Sequence, residues 1–128
     1  MASTDRFARL VFRIAGIYGV VVLLPQYLLE TGVGPAPSAP LQRPEHFYGF
    51  IGVALAWQLV FLVISRDVHR YRLLMLPAIV EKLSFGVPVW LLFAKGRVGA
   101  DVLTFGSIDL VLSALFALAY RRTRDPVP

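Results

Sequence analysis

The 128-residue chain has no cysteine, only two methionines and two histidines, and charges at just 16% of its positions. Without cysteine there is no disulfide, no thiolate metal site and no thiol redox chemistry. The histidines, His46 and His69, fall in separate connecting segments away from the intramembrane acids, so no metal site is expected. Strict period-two alternation is also missing, which argues against the strands of a membrane barrel.

What the chain has in excess is apolar residue, 57% of the total, with a mean hydropathy of +0.67. That lies above the range of soluble domains. The apolar residues gather into four runs of about 20, the length a helix rising 1.5 Å per residue needs to cross a ~30 Å hydrocarbon core. The runs predict membrane helices over 10–29, 47–65, 73–94 and 102–120, forming one domain. Short connections between the last three make those helices antiparallel neighbours, so the expected fold is an all-α, antiparallel four-transmembrane-helix bundle. No internal repeat is obvious, although two hairpins of similar size leave room for a two-fold arrangement. The first run competes with a secretory signal, but it is long for one and carries Tyr18, Gln26 and Tyr27.

Basic residues give the orientation. Arg6, Arg9, Arg13, Arg66, Arg70, Arg72, Arg121, Arg122 and Arg124 fall on one side, against Arg43, Lys95 and Arg97 on the other. Both termini are therefore expected in the cytoplasm (N-in/C-in). The net charge of +5 is spread over membrane-flanking segments, a pattern that suits topology anchors and anionic lipid; nucleic acid is not an expected partner. The proline-dense tract 31–46 is expected as an outer loop, a linker or a lid hinged at Glu45 and His46. Tyr27, Phe47, Tyr48, Trp90, Tyr71 and Tyr120 fit interfacial belts. Gly49, Gly52 and Ala56 form a small-residue stripe that Gly16 and Gly19 could face, or that could form a homodimer seam.

Ionisable residues inside the spans are the costly feature. A central Asp or Lys costs about 2.5 to 3.5 kcal/mol to insert. Counted from the cytoplasmic ends, Tyr18, Gln58, Glu81, Lys82 and Asp109 all lie between ~11 and ~17 Å deep, so the four helices share one polar layer. Helical spacing puts Gly106, Asp109, Ser113 and Phe116 on one face of the last helix, and Pro77, Glu81, Ser84, Phe85 and Pro88 on the matching face of the third. Lys82 is expected to pair with Asp109. Glu81 is then left over, a carboxyl that low dielectric keeps neutral. Pro25, Pro77 and Pro88 each free a carbonyl, and the third helix is expected to bend.

The segment YGFIGVALAWQLVFLVISRDVHRYR, followed by LMLPAIVEKLSFG and DLVLSALFALAYRR, resembles the DoxX-like superfamily of small bacterial four-helix membrane proteins, through Gly52, Arg66, Asp67 and Lys82. The resemblance implies a four-helix bundle in the bacterial inner membrane, with some members linked to quinone-dependent sulfur oxidation. Three functions are then expected to compete: a binding or accessory module for a lipophilic ligand or membrane partner; a small proton-coupled transporter using Glu81; and an intramembrane acid–base enzyme of isomerase type using Glu81 and Asp109. The first is preferred. No resident cofactor is expected, a quinone or lipid being the ligand considered. The partners are membrane lipids, a second copy or a membrane complex.

Overall fold

The computed structural model describes residues 2–28 and 44–123, with side chains from Asp5 onward. It contains α1 (Ala2–Leu23), extended by a 3-10 segment to Leu28, then α2 (Pro44–Arg66), α3 (Met75–Ala94) and α4 (Ala100–Arg122). No strand occurs among the described residues. All four helices are long and apolar enough to cross a membrane, with spans of 23 or 24 residues, or roughly 35 Å of helix.

Three helices start earlier than the apolar runs suggest, α4 by a small margin and α1 and α2 by more. In α1 the turns before Leu10 are amphipathic: Ala8, Val11, Phe12 and Ala15 are buried while Arg6, Arg9 and Arg13 face out, a spacing that extends the helix beyond its purely apolar part. Pro44 opens α2, a position where its missing donor is harmless. Glu45 and His46 therefore lie in the first turns of α2 and not at a loop hinge; residues 29–43 of the proline-rich tract lie outside the described residues. Two prolines also have milder effects than interior positions imply. α1 has already tightened to 3-10 geometry at Pro25, and Gln26 Nε2 donates to the Val22 carbonyl at 3.1 Å. Pro77 sits in the first turn of α3, so only Pro88 is truly interior.

The connections are tight. Between α2 and α3, the Arg70 amide donates to Asp67 Oδ1 at 3.1 Å, Val68 is fully buried, and His69 Nε2 meets Asp5 Oδ1 of α1 at 2.8 Å. Arg72 donates to the Tyr120 carbonyl from Nε and Nη2, at 3.2 and 2.9 Å, with its guanidinium 3.7 Å from the Tyr120 ring centroid. α3 is closed off after Lys95 by Gly96, with φ of 71°. There the Gly96 and Arg97 amides return to the Phe93 and Leu92 carbonyls, both at 2.9 Å, the closure that favours glycine.

Core packing is concentrated at the end that carries the termini. Phe12 stacks on Phe116 at 4.2 Å, Phe61 meets Phe116 edge-on at 5.0 Å, and Ala8, Ala15, Ile64, Val68, Met75, Ala78 and Ala119 close around them. Lipid tails are as apolar as these side chains, so in a membrane such packing holds through van der Waals contact and close backbone approach, with little hydrophobic driving force.

That close approach occurs in the same way twice. A Cβ added at Gly16 of α1 would lie 2.7 Å from the Leu62 side chain and 2.9 Å from the Gln58 carbonyl of α2; one added at Gly86 of α3 would lie at the same distances from Leu110 and the Gly106 carbonyl of α4. Leu62-Val63-Ile64-Ser65 recurs as Leu110-Val111-Leu112-Ser113, and both serines donate to the carbonyl three residues back, at 2.6 and 2.7 Å. The packing thus repeats, α1 on α2 and α3 on α4, with that short motif as its clearest literal signal. On α2 the α1 glycines are met by Gln58 and Leu62; Gly49 and Ala56 of the small-residue stripe are exposed, and Gly52 faces Tyr27.

Gly86→Ala should lower the stability of the detergent-solubilised protein by about 1 to 3 kcal/mol, because its methyl meets backbone as well as side chain. Gly49→Ala, where nothing lies within 4 Å, should leave the melting curve unchanged. Thermal unfolding followed by circular dichroism compares the two.

Candidate functional site

Above the phenylalanine core the two helix pairs separate. Between them lies a partly open cavity of ≈ 790 Å³, lined by all four helices. Tyr18 from α1, Gln58 from α2, Glu81 and Lys82 from α3 and Asp109 from α4 all face it. The depth arithmetic that placed these residues in one layer therefore corresponds to a single space.

Ser84 and Ser113 are not part of it. Ser84 is exposed on the outer face of α3 and donates to the Glu81 carbonyl at 2.8 Å. Ser113 is buried, but bonds the Leu110 carbonyl and does not line the cavity. A serine hydroxyl satisfied by its own helix costs little wherever it faces, so a hydroxyl is a poor guide to the inward side. The inward stripe of α3 runs through Met75, Ala78, Lys82, Gly86 and Val89, with Pro77, Ser84 and Pro88 outside. On α4 the expected face holds: Gly106, Ser113 and Phe116 are buried and Asp109 is mostly so.

Lys82 occupies the centre. Its Nζ lies 3.3 Å from Asp109 Oδ1 and 3.5 Å from Glu81 Oε1. The Phe61 ring centroid is 5.2 Å away, adding a cation–π contact. The expected Lys82–Asp109 pair is present, but Glu81 is not left over, because one ammonium serves both carboxylates. Adjacent residues on a helix are turned by about 100°; Lys82 bridges that angle because its long side chain can swing back toward Glu81 while reaching α4.

Gln58 is buried on the α2 side, 1% exposed. Its Nε2 donates to the Ala54 carbonyl at 2.8 Å, which fixes the amide orientation, since a flip would set oxygen against oxygen. Gln58 Oε1 rests against Gly19 and has no hydrogen-bond partner. Glu81 Oε1 likewise has only its ion contact. Gly19 is needed here because any Cβ would occupy the space of the Gln58 amide.

Of the phenylalanine walls, only Phe85 lies on a face that the sequence singles out as inward. Phe50, Ala54, Phe85 and Phe105 line the cavity beside Val22, Gln26, Phe47 and Asp101. Their signal lay in the spacing: Phe85 and Phe105 each stand one turn from Glu81 and Asp109, Ala54 stands one turn from Gln58, and Val22 one turn from Tyr18, all toward the same end. Phe47 also serves as cavity wall besides its place in the aromatic belt, where Tyr48 stacks on Tyr27 at 5.9 Å. α2 and α3 barely touch; Phe50 and Phe85 span the gap, with ring centroids 6.3 Å apart.

Comparison of the chain with protein-family models, with curated proteins and with solved structures finds no match.

Replacing Lys82 by Met should cost about 3 to 5 kcal/mol, because two enclosed carboxylates lose their cation. The triple change Glu81→Gln, Lys82→Met and Asp109→Asn should recover most of that loss. Denaturation of the two variants in the same detergent gives the comparison.

Proposed function

We propose that this chain is a small integral protein of the bacterial inner membrane, an antiparallel bundle with both termini in the cytoplasm, that binds a lipophilic ligand in the cavity above its polar layer. The observation that carries the reading is one space with phenylalanine and valine walls and a floor of Tyr18, Gln58, Glu81, Lys82 and Asp109. Its volume is in the range of small-molecule sites, which pair apolar walls with a few converging polar groups. The arginine tally supports the orientation, with the cavity opening toward the outer side. The DoxX-like resemblance supports the bacterial inner membrane, and a quinone or a lipid is the class of ligand it brings to mind.

Binding is favoured over passage because Phe12, Phe61 and Phe116 pack tightly below the layer. It is favoured over acid–base catalysis because Glu81 and Asp109 are both engaged by Lys82, whereas catalysis needs one group poised to give and another to take a proton. In this reading the gap between α2 and α3 admits the ligand from the bilayer, with Phe50 and Phe85 at the opening. Surrounding lipid, a second copy or a membrane complex covers the exposed apolar faces.

Filling the cavity tests the reading. Ala54→Phe should abolish co-purification of an extractable lipophilic molecule, or of a cavity-bound lipid, seen by native mass spectrometry, while the melting temperature stays near that of the parent. The same ligand content in parent and variant would count against the cavity as a binding site.

A further inference from the structure

Resting on that reading, we infer that the ligand is a lipophilic amine, held as its protonated ammonium with its apolar body among Phe47, Phe50, Phe85 and Phe105.

The layer holds two carboxylates against one ammonium, and a third acid, Asp101, lines the cavity further along α4. By formal charge, the space faces three acids and one base. Lys82 is not free to hold an anion: its side chain is 4% exposed and already lies between Asp109 and Glu81. Of the donors in the layer, Gln58 Nε2 serves the Ala54 carbonyl and Lys82 Nζ serves Asp109, which leaves the Tyr18 hydroxyl facing the cavity. The layer's buried polar atoms without a hydrogen-bond partner, Gln58 Oε1 and Glu81 Oε1, are both acceptors, and Gln58 is almost wholly enclosed. A carboxylate head would face Glu81, Asp109 and Asp101 as like charges, and a quinone carbonyl would have the Tyr18 hydroxyl alone to accept from; an ammonium head brings donors for the carboxylates and the compensating charge. The walls fit the same head and tail, because aromatic faces attract a cation in a site with little water and pack well on an apolar chain.

Three probes that share a tail and differ in head group decide the point: phenylbutylammonium, phenylbutanol and phenylbutyrate. Each is titrated by calorimetry, near neutral pH, into the full chain in nanodiscs of zwitterionic phosphatidylcholine, with empty nanodiscs as the blank. The ammonium is expected to bind at least about tenfold more tightly than either of the others. Glu81→Gln should reduce that preference and Glu81→Asp should restore part of it; the parent chain alone decides if a variant does not fold. Equal affinity for the alcohol, or tighter binding of the carboxylate, would overturn the amine while leaving the cavity as a lipophilic site. No heat above the blank from any probe would overturn both.

Discussion

The ammonium of Lys82 is the constraint around which the rest of the molecule is arranged. A buried charge in an apolar helix is tolerated only with partners at short range, and here they come from three directions: Glu81 beside it on α3, Asp109 on α4, and the ring of Phe61 on α2. The second fixes the register of α3 against α4. The third ties that pair to the other one. Lys82 also marks the level at which the structure changes character, with interlocked aromatic side chains on the side of the termini and open space on the other.

The internal repeat shows how such a centre fits a simple scaffold. If Gly16 corresponds to Gly86, and Gln58 and Leu62 to Gly106 and Leu110, then Phe12 stands where Lys82 stands and Phe61 where Asp109 stands. One pair of helices is joined at that point by two rings 6.1 Å apart, the other by an ion pair at 3.3 Å. One turn on, the small and large partners trade places: Gly19 admits Gln58 in the first pair, and Gly106 admits Val89 in the second. An amide fills the space beside the glycine in the first pair and a valine side chain does so in the second. Equivalent backbones thus carry an apolar half and a charged half, and their difference is what gives the cavity a polar floor.

Much of this was legible in the chain because membrane helices leave strong marks. Four long apolar runs cannot be hidden, and polar residues within them can be ranked by depth from rise per residue alone; Tyr18, Gln58, Glu81, Lys82 and Asp109, which share a depth by that arithmetic, line one cavity. Facing was harder. On α3 the expected face holds Glu81 and Phe85, which do line the cavity, but also Pro77, Ser84 and Pro88, which are exposed; Ser84 bonds its own helix and the most buried stripe passes through Lys82. Aliphatic residues point inward and outward alike when the surroundings are lipid, so hydropathy cannot tell Val89 from Val87. The early start of α1 was missed for the opposite reason: its first turns are amphipathic, and Arg6, Arg9 and Arg13 mask the buried positions between them. The repeat was hidden because contact geometry is preserved by glycines on different helices, leaving Leu-Val-Ile-Ser and Leu-Val-Leu-Ser as its clearest shared letters.

The cavity itself follows from where bulk is placed. Near the termini, Phe12, Phe61 and Phe116 point at one another and draw three helices together, and the short turn from Asp67 to Arg72 adds Val68 and the Arg72–Tyr120 contact to that end. Toward the other end the phenylalanines Phe50, Phe85 and Phe105 line an opening instead of filling it. Two glycine-packed pairs, joined firmly at one end, must diverge at the other. A void of ≈ 790 Å³ with charged groups on its floor is not held empty by apolar walls alone, because its polar atoms need partners and its opening lets them in. Something with a polar head and an apolar body fills such a space more completely than water or an acyl chain alone, since each satisfies only one of its two surfaces.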